Sequence, residues 1–189
     1  MKILSIGAGM ERVEGAVHLD MVPLPGIDIV LDLDVLPWGL GSGVWDKVVA
    51  RDVLEHVDNV VGVLDEINRV LKVGGVLELQ VPLWNTVNVA IDPTHRRGFT
   101  EVTFDYWCPG TMLGDKYWWY TRTAYRKVSC CVEDHGELVM VLEKIGDKRG
   151  LGVGGGVGRV KMGTPTPVAT ECPSVVVDVS VEDQKTAEV

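Results

Sequence analysis

Residues able to do chemistry recur where apolar runs stop. Ile3–Ile6 ends in Gly7-Ala8-Gly9, Ala16–Leu19 ends in Asp20, DIVLDL ends in Asp32-Leu33, and WDKVVA runs into Arg51-Asp52. A glycine turn lets a backbone reverse sharply and lets a ligand approach without a Cβ in the way. Asp20 offers a carboxylate that can accept two hydrogen bonds from the vicinal hydroxyls of a ribose. Asp32 can accept from an exocyclic amine, with Leu33 or Met21 packing on a purine face. Arg51 can pair with a ligand carboxylate. Each feature alone has an ordinary alternative: a plain turn, a solvated strand-end acid, a loop acid. Glu55 and His56, just beyond Asp52, read more readily as structural or cap-like than as catalytic.

The glycine turn is half of a dinucleotide fingerprint. Arg12 stands where G-x-G-x-x-G needs its third glycine, and only nine residues, Gly7 to Gly15, separate the first two apolar runs. A dinucleotide fold places a full crossover helix there.

The elements that must position these residues follow from periodicity. Ile3–Ile6, Ala16–Asp20, Asp28–Leu33 and Trp45–Ala50 read as strands. Val60, Val63, Leu64, Ile67, Val70 and Leu71 recur at helical spacing, which predicts an amphipathic helix with Asp58 as N-cap and Gly74-Gly75 as its stop. Val76–Val81 is a fifth strand. Tyr125–Val132 and Leu138–Ile145 flank EDHGE as an antiparallel hairpin. Residues 82–124 are irregular and rich in aromatics, which form either a packed core over the sheet edge or a wall for a ring. The expected fold class is therefore α/β: a Rossmann-like, mainly parallel sheet with helices on both faces and a C-terminal antiparallel β-hairpin. Ligands on such sheets bind at the carboxyl ends of the strands. Residues 1–146 form the expected domain. The glycine-rich segment that follows predicts a disordered tail over 147–189, with Ser174–Val181 as one further strand.

Composition narrows the function classes. The chain has 189 residues, a net charge of -9 and a pI near 4.9, which argues against a nucleic-acid surface. The four cysteines form no C-x-x-C pair, so spacing indicates neither a zinc site nor a disulfide framework, and no metal is expected. No apolar segment approaches the roughly 20 residues that span a membrane. The expectation is a soluble, cytoplasmic protein without membrane contact.

Taken together, IGAGMERVEGAVHLD, DLDVLPW, WDKVVARDVLEHV and EINRVLKVGGVLELQVP resemble a class I S-adenosylmethionine-dependent methyltransferase, of the small, type 11-like branch whose first crossover is trimmed. The resemblance runs from about Lys2 to Pro82, and the hairpin extends it to about Ile145. It implies S-adenosylmethionine as cofactor, with Gly7 and Gly9 against the methionyl part. Asp20 would bind the ribose, Met21 would border the adenine, and Asp32 and Leu33 would meet the adenine edge. Arg51 and Asp52 would lie beside the methionyl group or the substrate. A glycine turn that cradles no pyrophosphate does not need a third glycine. The short crossover and the lack of residues before strand one leave room for a second subunit or another partner to complete the site.

Methyl transfer is an in-line displacement at a carbon already activated by a positive sulfur, so alignment and exclusion of water carry most of the catalysis. A hydroxyl acceptor also needs a base. His95, in DPTHRRGFT, is the residue proposed for that role, with Arg96 or Arg97 to bind an acidic group. Ordering of its loop is the alternative role for His95. The chain carries Arg51-Asp52-Val53 where amino-methylating DNA enzymes carry Pro-Pro-aromatic. The expected activity is thus transfer of a methyl group to a small-molecule acceptor, a saccharide or other metabolite hydroxyl. The alternative is a non-catalytic cofactor-binding or regulatory protein. An NAD oxidoreductase fits less well, for want of the third glycine.

Overall fold

The computed structural model describes residues 1–148, 150 and 151. Among these residues seven strands form one sheet: β1 (Ile3–Ile6), β2 (Ala16–Asp20), β3 (Ile29–Val30), β4 (Trp45–Arg51), β5 (Leu71–Pro82), β6 (Thr123–Val132) and β7 (Glu137–Asp147). Their order is β3-β2-β1-β4-β5-β7-β6. The first five pair in parallel, and β7 then enters antiparallel between β5 and β6. The order reverses between β1 and β4, so the crevice for a ligand opens at the carboxyl ends of those two strands.

Helical structure is sparse. Among the described residues, helix α1 (Val60–Val70) is followed only by the five-residue segments α2 (Val87–Ile91) and α3 (Met112–Lys116), with a 3-10 turn over Thr103–Trp107 between them. The β1–β2 connection holds no helix. Arg12 stitches that short crossover instead, donating to the carbonyls of Gly9, Glu11 and Pro25.

The apolar face of α1 buries Val63, Leu64, Ile67 and Val70. It joins a core with Leu4, Ile6, Leu19, Val48, Ala50, Leu77, Leu79 and Val81. On β5 the burial alternates, as a strand with two unlike faces requires. The opposite face carries Glu78, which accepts from Lys47 at 2.5 Å and from Arg51 at 3.0 Å.

The boundaries of α1 differ from the sequence expectation at both ends. Asn59, not Asp58, is the N-cap, its side chain accepting from the Gly62 N–H at 2.9 Å. At the other end β5 begins at once with Leu71, ahead of Gly74-Gly75. The reason lies in the carbonyls a helix leaves unpaired at its C-terminus. Lys144 of β7 donates to the carbonyls of Asn68 and Leu71, while the backbone N–H groups of Gly43 and Val44 take those of Arg69 and Val70. All three partners are distant in sequence.

The aromatic segment divides. Phe99, Phe104 and Trp107 are core, whereas Trp119 and Tyr120 are exposed. Cys108 and Cys130 are free thiols, and Cys131 is disulfide-bonded, which the cysteine spacing did not indicate. The expected tail over 147–189 lies almost entirely outside the described residues. Among the described residues no helix is long and apolar enough to cross a membrane.

Candidate active site

Two adjoining cavities, of about 230 and 180 Å³, open at the switch point and share Gly7 and Asp52. The larger is bordered by Asp20, Met21, Asp32, Leu33 and His56, and the smaller by Gly9, Met10 and Arg51. The sheet thus brings together Gly7, Gly9, Asp20, Met21, Asp32, Leu33, Arg51 and Asp52.

Gly7 sits at φ +60, and a Cβ built on it would lie 2.2 Å from Val53 Cγ2. Only glycine fits there. The Asp20 carboxylate accepts the Gly9 N–H at 2.8 Å and the Val22 N–H at 2.9 Å. A carboxylate has about four lone-pair positions, so roughly two stay available to ligand hydroxyls. Asp32 is held by its own turn, accepting the Asp34 N–H at 2.9 Å. Leu33 is buried, and its carbonyl accepts the Trp38 indole N–H at 3.1 Å.

Arg51 is already engaged. Burial works to raise the Glu78 carboxyl, but the hydrogen bonds from Lys47 and Arg51 outweigh it and hold it below the ordinary range. Asp52 occupies the junction of the cavities with a backbone φ of 47°. Its residue surface is open to the cleft, yet the concave protein around the carboxylate desolvates it. That effect first, then the charges of Glu137 and Glu11, push its pKa up to about 6, against a hydrogen bond from Gln80.

His95 lines neither cavity. The DPTHRR loop docks against residues 55–58 and carries His95 behind the cleft wall. Arg96 donates to the His56 carbonyl and pairs with Asp58, and Arg97 donates to the Val57 carbonyl. Both arginines expected to bind an acidic substrate group clamp this loop instead.

The loop brings His95 beside Glu55, with Nε2 3.8 Å from Oε1, and beside His56, with ring centroids 4.7 Å apart. Glu55 is fully buried, and neither carboxyl oxygen has a hydrogen-bond partner. Burial raises its pKa to about 8, with the charges of Asp52, Glu137 and Asp92 adding to the effect. His56 is shifted down, by burial first and by His95 second. Sequence reasoning marked Glu55, His56 and His95 singly but missed their union, because 38 residues separate His56 from His95. The only cue was a His in each of two loops that follow neighbouring strands.

A family model for a methyltransferase domain matches residues 2–146. The chain belongs to that methyltransferase family. Its fold is that of class I S-adenosylmethionine-dependent methyltransferases. A SAM-dependent methyltransferase from Archaeoglobus fulgidus aligns with 14% identity over 76% of this chain and 86% of its own, at a TM-score of 0.52. The PH0226 protein from Pyrococcus horikoshii OT3 aligns with 15% identity over 76% and 81%, at 0.53. The Burkholderia thailandensis 1,6-didemethyltoxoflavin-N1-methyltransferase, solved with that compound and S-adenosylhomocysteine, aligns with 17% identity over 77% and 71%, at 0.52. No curated protein matches the chain in sequence.

The cofactor of this methyltransferase fold is S-adenosylmethionine, and the cleft fits it. A glycine without space for a Cβ, a strand-end carboxylate with unused lone pairs and an apolar Leu33 wall are the features such a ligand needs. Four aspartates, Asp20, Asp32, Asp34 and Asp52, border the larger cavity and suit a ligand that carries positive charge.

Proposed function

We propose that this protein transfers a methyl group from S-adenosylmethionine to a hydroxyl of a small-molecule acceptor. The observation that carries the reading is the pairing of Asp20 with the glycine turn, at the switch point of a methyltransferase sheet. Asp20 accepts from the ribose hydroxyls, with Gly7 and Gly9 against the methionyl chain. Asp32 accepts from the adenine amine, while Leu33 and Met21 pack on the ring. Asp52 faces the positive methionyl end. Arg51 keeps its charge on Glu78 and acts as a wall more than as a carboxylate ligand.

Bound S-adenosylmethionine supplies a methyl group activated by a positive sulfur. The chain's task is to orient the acceptor beside Asp52 and His56 and to exclude water. Because His95 stands behind that wall, it contributes through His56 and Glu55 and does not touch the acceptor. The saccharide or other metabolite hydroxyl expected from the sequence is the acceptor class of this proposal.

Calorimetric titration with S-adenosylhomocysteine, with NAD and an Asp20→Ala variant alongside, tests the cofactor. Binding of the first ligand alone, weakened in the variant, is expected. Binding of NAD instead would overturn the reading. Transfer of labelled methyl into a metabolite extract tests turnover. Binding without transfer would favour the non-catalytic alternative.

A further inference from the structure

Three polar atoms at one place lack partners. They are both carboxyl oxygens of Glu55 and Nδ1 of His95, all buried. Native proteins rarely leave such groups unpaired, and a specific buried cluster of them points to a missing ion or ligand. One ligand atom each from Glu55, His56 and His95 lies within 4.8 Å of the other two.

We propose that Glu55, His56 and His95 bind a divalent transition-metal ion of the zinc class. Two imidazoles and one carboxylate suit zinc, cobalt or iron better than magnesium or calcium, which prefer oxygen donors. An ion at about 2.1 Å from each donor draws the three together by side-chain rotation and satisfies the buried carboxyl.

The surroundings support a built site. Thr94 Oγ1 gives its proton to Asp92 Oδ1 at 2.6 Å and lies 2.9 Å from His56 Nδ1. Its one proton being used, Thr94 accepts from His56 Nδ1–H. That bond leaves the lone pair of His56 on Nε2, as a metal-binding histidine requires. The clamps made by Arg96 and Arg97 fix the loop that carries His95. His56 borders the larger cavity, which gives an ion a route in and an open position facing the cleft.

The proposal stands apart from the cofactor reading, because it uses none of the cofactor residues. The full-length protein is stripped of metal with a chelator and titrated with Co²⁺ by visible absorption and with Zn²⁺ by calorimetry. One ion per chain is expected, with Zn²⁺ displacing Co²⁺. Thr94→Val should weaken binding by roughly 10- to 100-fold, as loss of a ligand's supporting hydrogen bond does. Glu55→Gln and His95→Gln should weaken it further. Glu133→Gln, beside the remote His135, should change nothing.

No Co²⁺ absorption in the wild-type protein would overturn the site. Undiminished binding in Glu55→Gln and His95→Gln would also overturn it. Circular dichroism of each metal-free variant checks folding. Should the ligand variants unfold, the exposed Thr94→Val decides, and unchanged affinity there overturns the assignment. A parallel S-adenosylhomocysteine titration of the stripped protein separates failure of this site from failure of the cofactor reading.

Discussion

Asp20 Oδ2 lies 2.8 Å from the backbone nitrogen of Gly9. The carboxylate at the end of β2 therefore holds the turn at the end of β1. Acid and turn are one unit, and the pairing replaces the crossover helix that ordinarily supports such a loop. Removing the carboxylate acts on the turn and on the proposed ribose contact together.

Asp20→Ala should weaken S-adenosylhomocysteine binding by about tenfold or more, and should lower stability by about 1–3 kcal/mol through the loss of two charge-assisted bonds. Asp20→Asn, which keeps one acceptor oxygen, should lose less stability than affinity. Urea denaturation and calorimetry on the same samples check the split. Equal stability of Asp20→Ala and wild type would mean that the turn stands without the carboxylate.

This pairing also marks how far the sequence could be read. Strand ends were legible because apolar runs stop at glycines and acids, and that pattern placed all eight expected cofactor residues around one cleft. The end of α1 was not legible. Gly74-Gly75 looked like a stop, but Lys144, Gly43 and Val44 pair the last carbonyls earlier. Local signals cannot report partners that far along the chain. His95 shows the same limit: its motif was visible, but its place behind His56 depends on arginine clamps between two loops.

Gly7 and Gly9 separate crowding from backbone strain. Both have positive φ, but a Cβ on Gly9 meets nothing within 4 Å. Gly9→Ala should lose only the roughly 1–2 kcal/mol of a left-handed residue. Gly7→Ala should lose about 1–3 kcal/mol more, through overpacking against Val53. Gly7→Ala/Val53→Ala should relieve the steric share relative to Val53→Ala alone. Chemical denaturation of the four variants tests the order, and equal losses at the two glycines would contradict the crowding.

Asp52 predicts a pH dependence. Its pKa is raised to about 6 in the folded protein from an ordinary value of 3.8. The folded state thus holds a proton that the unfolded state has released between those values. Stability contributed by this group falls as pH rises from about 4 to about 6, and is flat above. Glu137, Glu11 and His95 act on it by charge, and Gln80 by a hydrogen bond. Asp52→Asn should remove that part of the slope. Affinity for S-adenosylmethionine should instead rise through about pH 6, as the carboxylate ionises against a positive ligand. A slope unchanged in Asp52→Asn would assign it to another group.

Glu66 reaches Leu33, in the wall of the larger cavity, through Trp38. It is buried on α1, and its Oε1 accepts the Trp38 backbone N–H at 2.7 Å and Arg69 Nη2 at 2.7 Å. Trp38 in turn donates its indole N–H to the Leu33 carbonyl at 3.1 Å. Leu33 is therefore fixed by a chain of bonds that starts in the helix. Glu66→Ala leaves a buried N–H without its acceptor and takes the carboxylate from Arg69, which keeps Ser42 Oγ and the Trp38 carbonyl, and should lower stability by about 1–3 kcal/mol. Trp38→Phe keeps most of the ring volume and removes only the last link. It should weaken S-adenosylhomocysteine several-fold with a smaller loss of stability, of about 1 kcal/mol. Affinity unchanged in Trp38→Phe would show that packing alone fixes Leu33, and the helix would then have no part in positioning the cofactor.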